Sequence, residues 1–201
     1  MNYRKLAISA SINIMKYYTA DRTKVIKKGD IFDLYTKPQN LPSAIAAIDE
    51  RFCKKEELKS YLSEFFPSGI SYHGMQYLLD NNNFISSNYP EPLITLSPAI
   101  EIIYETIRRC EFPDKPSRMT CAYTCLTIQD AQNYFNDASL PIFEISTNKK
   151  HFIADSSLLK IGSNHLSTLV MARKYWSGST SEDPQLEVLI ECPAVIGERV
   201  A

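Results

Sequence analysis

This sequence has no CxxC pair, no run of about 18 apolar residues and no excess of either charge. Each absence removes a class of function. The formal net charge is −1 over 201 residues, so no global basic field advertises nucleic acid or a membrane surface, although a local patch can hide in a neutral total. Without a long apolar run, no membrane-spanning helix is expected. The five cysteines are Cys53, Cys110, Cys121, Cys125 and Cys192. Cys121 and Cys125 stand four apart with no His or second Cys pair to complete a zinc site, so no metal is expected. Buried, reduced thiols in a cytoplasmic protein are the expected state. His73, His151 and His165 are scattered, and none has metal or triad spacing. There is no internal repeat and no low-complexity tract. Arg4 and Lys5 precede a stretch of roughly signal-peptide shape, but Ser9, Ser11 and Asn13 interrupt it and Lys16 closes it, so it is read as an internal element.

What is present is ordinary globular material: 44% hydrophobic and 22% charged, on a chain long enough to bury a core without staples. The pattern predicts one α+β domain over residues 1–201, with strands at both ends and a helical insertion at about 43–110. The second half of residues 6–19 reads as a strand. Residues 21–28 suggest one or two helical turns ended by Gly29, and residues 31–34 a short strand. Ser43 is placed to cap a helix running to about Cys53. Residues 56–66 carry Leu58, Tyr61, Leu62, Phe65 and Phe66 at helical spacing. A short helix over 72–79, loops at 81–83 and 88–92, and a helix opening at Ser97-Pro98 and running to about Arg109 follow. Beyond Pro116 the pattern predicts strands at 119–126, 141–146, 151–154, 186–190 and 194–200. Helices are expected at 128–135, capped by Thr127, and at 164–175, with a turn-rich loop over 176–184.

Three segments bear chemistry. Tyr17, Tyr18 and Thr19 end a strand, and a polar aromatic beside a hydroxyl there can hydrogen-bond a ribose; a Tyr pair in a half-buried strand is the plainer account of the local pattern. Arg118 precedes a strand bearing Tyr123: the guanidinium can pair with pyrophosphate and the phenol can stack on a flat ring, while a surface Arg and a core Tyr explain the pattern equally. Gln185 and Glu187 lie at the entrance of a strand after the 176–184 loop. A carboxylate there can stabilise a cationic sugar, and two residues of extended chain turn Gln185 to the same face; an edge-strand surface pair is the simpler reading of the spacing.

Taken in order, these segments resemble the ADP-ribosyltransferase family, nearest to a bacterial group of uncharacterised domains of that type. The resemblance rests on Tyr17, Thr19 and Gly29, then on Phe112-Pro113, Pro116-Ser117-Arg118, Asp130-Ala131, Tyr175-Trp176 with Gly178, and the final Gln185-Leu186-Glu187 strand. It covers residues 17–29 and 108–200; the helical middle has no counterpart in it. It implies split antiparallel β-sheets with NAD as a substrate. Tyr17, or Tyr18 one position on, would contact NAD, Thr19 the ribose, and Tyr123 the nicotinamide. Glu187 would be the catalytic glutamate and Gln185 the residue that reads the acceptor, with Arg118 on the phosphates. Tyr17 stands where the family more often has His or Arg, and Cys121-Ala122-Tyr123-Thr124 replaces the Ser-Thr-Ser of the arginine-modifying branch.

The Q-x-E pair accompanies acceptors other than arginine, so the resemblance implies a toxin or antiviral-defence effector modifying a macromolecule, RNA or DNA before protein. A carboxamide both donates and accepts, which suits a base edge or an amide. Such a toxin implies an antitoxin partner. A module that keeps the fold and lacks catalysis is the alternative.

Overall fold

The computed structural model describes residues 15–35, 51–79, 85–86, 93–94, 96–134, 137 and 139–201. Most of the helix expected from Ser43 and the loops expected at 81–83 and 88–92 lie outside them. The chain is α+β, and among the described residues every strand pairing is antiparallel.

The elements are β1 (Met15–Ala20), β2 (Ile31–Phe32), α1 (Lys55–Phe65), α2 (Tyr72–Leu79), β3 (Ile85–Ser86), β4 (Leu93–Ile94), α3 (Ser97–Glu111), β5 (Cys121–Thr124), α4 (Ile128–Tyr134), β6 (Ile142–Thr147), β7 (His151–Asp155), α5 (His165–Ser177), β8 (Leu186–Glu191) and β9 (Ala194–Arg199). One sheet has the order β1-β6-β9-β2 and the other β5-β8-β7, and β3 with β4 forms a separate ladder. The chain changes sheet between β6 and β7 and again between β8 and β9. The sheets also meet edge to edge, where Tyr18 and Cys125 exchange backbone hydrogen bonds of 3.0 and 2.7 Å.

Side-chain alternation then sorts the strands into two compartments. Tyr17, Phe143, Ile145, Ala194 and Ile196 of the first sheet pack against Ala122, Val188 and Ile190 of the second. The other face of the second sheet, with Cys121, Phe152, Ala154 and Leu189, takes Tyr104 of α3 and Ala172, Tyr175 and Trp176 of α5. Trp176 has no exposed surface, stacks on Phe152 at 5.6 Å and donates its indole N–H to the Tyr104 carbonyl at 2.7 Å. α2 lies over the 3₁₀ turn Arg118–Thr120, with Phe66, Ile70 and Met119 between.

Local chemistry sets the boundaries. Asn164 caps α5 by accepting from Ser167 N at 2.9 Å, and Gly178 ends it with φ of 78°. Pro98 opens α3. Residues 21–28 form no helix, contrary to the sequence reading. There the buried Asp21 carboxylate accepts from the N–H groups of Thr23 (2.9 Å), Lys24 (2.8 Å) and Ile26 (2.8 Å), which competes with a helical ladder. The β3–β4 ladder was also not foreseen in the helical middle. Cys121, Cys125 and Cys192 are buried as expected, but Cys53 is half-buried and Cys110 exposed.

Candidate functional site

Glu187 is the second residue of β8, opposite Ala154 of β7, and is 2% exposed. Alternation turns it, with Leu189, toward the helices and away from the inter-sheet core. Tyr175 of α5 donates its phenol O–H to Glu187 Oε1 at 2.6 Å, and Arg118 Nη1 donates to the same oxygen. Arg118 Nη1 also donates to the Tyr175 oxygen at 2.6 Å, closing a triangle of three buried polar side chains.

Arg118 owes its position to the 3₁₀ turn that precedes β5. Ser117 caps that turn by accepting from Met119 N at 3.1 Å, and its hydroxyl donates to Glu105 of α3 at 2.9 Å. The guanidinium faces Glu101, one helical turn before Glu105, and makes a fork of two 2.8 Å bonds with it. Tyr123 donates to the Arg118 carbonyl at 2.9 Å, and the guanidinium lies 4.9 Å from the Tyr123 ring centre and 5.4 Å from that of Tyr175. From α2, His73 places Nε2 3.3 Å from Glu101 Oε1 and its ring between those of Tyr77 (4.2 Å) and Tyr123 (4.3 Å).

Burial would push the Glu101 carboxyl up, but Arg118 and His73 outweigh it and hold the group well below the usual carboxylate range. Burial opposes the Arg118 charge, yet Glu101 and Glu187 keep it firmly protonated. Burial raises the phenols of Tyr123 and Tyr175 well above their ordinary value, and Tyr134 of α4 to about 12. The Glu187 charge opposes ionisation of Tyr77, Tyr123, Tyr134 and Tyr175, which come from α2, β5, α4 and α5. A carboxylate at this position, once free of its arginine partner, can stabilise a developing cation.

Gln185 is exposed, and its backbone is held fast. Its N–H donates to Asp155 Oδ1 at 3.0 Å, and its carbonyl accepts from Ser156 N at 2.8 Å and from Ser156 Oγ at 2.8 Å. Asp155 has no exposed surface and also takes Ser181 N at 2.7 Å and Ser157 N at 2.9 Å. Burial would raise its carboxyl; the Ser181 and Ser157 donors prevail and keep it at about 2. The 178–185 loop therefore enters β8 along a fixed path.

Of the residues singled out from the sequence, the structure brings Arg118, Tyr123 and Glu187 together, with Gln185 at the strand entrance. Tyr17 and Thr19 are elsewhere. Tyr17 is 4% exposed in the inter-sheet core with Val188 and Ile190, its ring 5.5 Å from that of His151. Thr19 is buried and shares that face of β1. Arg118 makes four hydrogen bonds to Glu101, Tyr175 and Glu187, so its guanidinium is committed to two carboxylates and a phenol rather than to an open anion site. Glu101 escaped sequence reasoning, while His73 and Tyr175 were seen there without a place in this cluster. A signal existed for Glu101 and Glu105: two acids spaced i, i+4 flank the core residue Tyr104.

The family whose profile matches residues 17–201 is described as a protein of unknown function, DUF2441. The chain belongs to that family. The match runs from Tyr17 through the helical middle to the end of β9, so it spans every residue of the cluster. The description assigns no activity, and no curated protein matches the sequence. A cleft of about 240 Å³, lined by Phe66, Ser117, Thr120, Glu191 and Cys192 among others, sits at the far end of β8 and does not reach Glu187.

Proposed function

We propose that this protein is an NAD-consuming ADP-ribosyltransferase with Glu187 as its central carboxylate and an ADP-ribosyltransferase-like split of its antiparallel sheets. The observation that carries the reading is the surroundings of Glu187: a buried acid at the start of a strand, after a tethered loop, bonded by one tyrosine and one arginine. In the reaction the bond between the ribose anomeric carbon and the nicotinamide nitrogen breaks, and neutral nicotinamide leaves with the bonding pair. Glu187 stabilises the positive charge that develops on the sugar. A nucleophile on the acceptor then gives its lone pair to the anomeric carbon and loses its proton. Gln185, exposed two residues ahead, meets the acceptor; its carboxamide suits a nucleobase edge or a side-chain amide, and RNA or DNA is favoured over protein. A toxin or defence effector of this kind works in the cytoplasm against an antitoxin.

Arg118 and Tyr175 occupy Glu187 in this conformation, so NAD⁺ engages it only after that triangle opens. The experiment is incubation with NAD⁺ labelled in the adenylate, in the presence of total RNA, DNA or lysate. Label transferred to one acceptor class by the wild type and absent with folded Glu187→Gln supports the assignment. Equal labelling by both removes Glu187 from the chemistry.

The occlusion of Glu187 at 2% exposure favours a second reading, a fold that keeps its charged cluster as structure and performs no transfer. Calorimetry with NAD⁺ separates the two: binding with no nicotinamide release over hours supports the inactive module.

A further inference from the structure

We infer that the cleft at the far end of β8 is a binding site for a small zwitterion, an apolar α-amino acid whose ammonium meets Glu191 and whose carboxylate meets Arg108. The cleft does not reach Glu187, so the inference goes beyond ADP-ribosyl transfer and does not depend on it.

The walls of the cleft carry opposite and unmatched charge. Strand alternation sets Glu191 on the same side of β8 as Glu187 and Leu189, facing the helices. Glu191 is half-buried and makes no ion pair or side-chain hydrogen bond among the described residues. On the α3 side, Arg108 and Arg109 both pair with Glu105 at 2.8 Å, so one carboxylate serves two guanidinium groups and one positive charge is left over. Arg108 spends four N–H groups on the Glu105 carboxylate and the Pro113 and Lys115 carbonyls. A guanidinium has five, so one on Nη2 remains to donate. Arg108 and Glu191 both line the cleft and do not pair with each other. Charges of each sign held apart in a partly desolvated place suit a ligand that carries both. Thr120 spends its hydroxyl proton on the Ser117 carbonyl at 3.1 Å, so its oxygen offers only lone pairs, which suits an ammonium. Leu34, Phe66 and Pro67 supply an apolar wall for the side chain. The volume of about 240 Å³ lies below the roughly 300–1,000 Å³ of pockets for drug-sized ligands and suits a single amino acid.

The test titrates the full chain by calorimetry with L-leucine and with two analogues that each lack one charge, isoamylamine and isocaproate. Leucine is expected to bind at least about tenfold more tightly than either analogue, since each end adds a hydrogen bond to a charged group. Glu191→Gln is expected to weaken leucine and isoamylamine about tenfold and not to weaken isocaproate. Leu34→Trp fills the cleft, keeps both charges and is expected to abolish binding of all three. Equal affinity for leucine and either analogue overturns the inference, as does the absence of leucine binding at millimolar concentration. Leucine binding that survives Glu191→Gln or Leu34→Trp intact places the ligand elsewhere and also overturns it. The comparison of the three ligands on the wild type stands even if neither variant folds. Nicotinamide release from NAD⁺ is scored separately, so leucine binding by a protein that never cleaves NAD⁺ upholds the inference and defeats only the transferase reading.

Discussion

The two faces of β8 carry opposite chemistry a few ångströms apart. Val188 and Ile190 enter a dry core between the sheets, closed by Tyr17, Ile145 and Ile196. Glu187, on the other face, enters a cluster in which Arg118, Glu101 and Tyr175 are buried and His73 and Tyr123 are half-buried. The apolar face rests on non-directional burial and tolerates any filling of similar volume. The charged face depends on each group finding its partners, because a buried charge left alone is costly.

The largest effect is expected from breaking that face. Arg118→Met leaves Glu101 and Glu187 buried without their counter-charge, and a loss of about 3–5 kcal/mol is expected in urea unfolding. A loss below about 1 kcal/mol would mean that water already solvates the cluster. Ile190→Ala on the opposite face is expected to cost about 2–5 kcal/mol through lost burial and a cavity. Its cost should not depend on salt, and a strong salt dependence would show that the two compartments communicate.

How much of this was legible in the sequence follows the same division. Periodicity and caps marked α1, α2, α5, β8 and β9 within a residue or two, since those signals are local. Asp21 defeated the local reading because one carboxylate replaced a helical ladder. The charged cluster was legible only in part. Arg118, Tyr123 and Glu187 stood out as residue types, but Arg118 meets Glu101, Tyr175 and Glu187 across 17, 57 and 69 residues of chain. No spacing rule spans such separations. Tyr17 and Thr19 carried the right chemistry for a ribose, and alternation along β1 turned them into the core instead.

A smaller effect is expected at the loop that leads into β8. Asp155→Asn removes a charged acceptor from Ser181 N and Gln185 N, with an expected cost of about 1.5–3 kcal/mol near neutral pH. The Asp155 carboxyl is held at about 2, below its ordinary value of 3.8, so its contribution is complete above that ordinary value and is lost as pH falls through about 2. Unfolding of both proteins between pH 6 and pH 2 should show the gap closing at the acid end; a gap that widens there would contradict the assignment. The smallest effect is expected at the exposed clasp of α3 and α5, where Arg173 pairs with Glu111 at 2.7 Å. Arg173→Ala should cost under about 1 kcal/mol, and less in high salt. A larger cost would place structural weight on the surface rather than on the cluster behind it.

The central claim is that the charged face of β8 is a site for NAD⁺ chemistry built on Glu187. Its most direct test is nicotinamide release from NAD⁺ labelled in the nicotinamide ring, comparing the wild type with folded Glu187→Gln. The account predicts steady release by the wild type, slowed at least about 100-fold in the variant. Release at the same rate from both proteins, or from neither while NAD⁺ is bound, would contradict it.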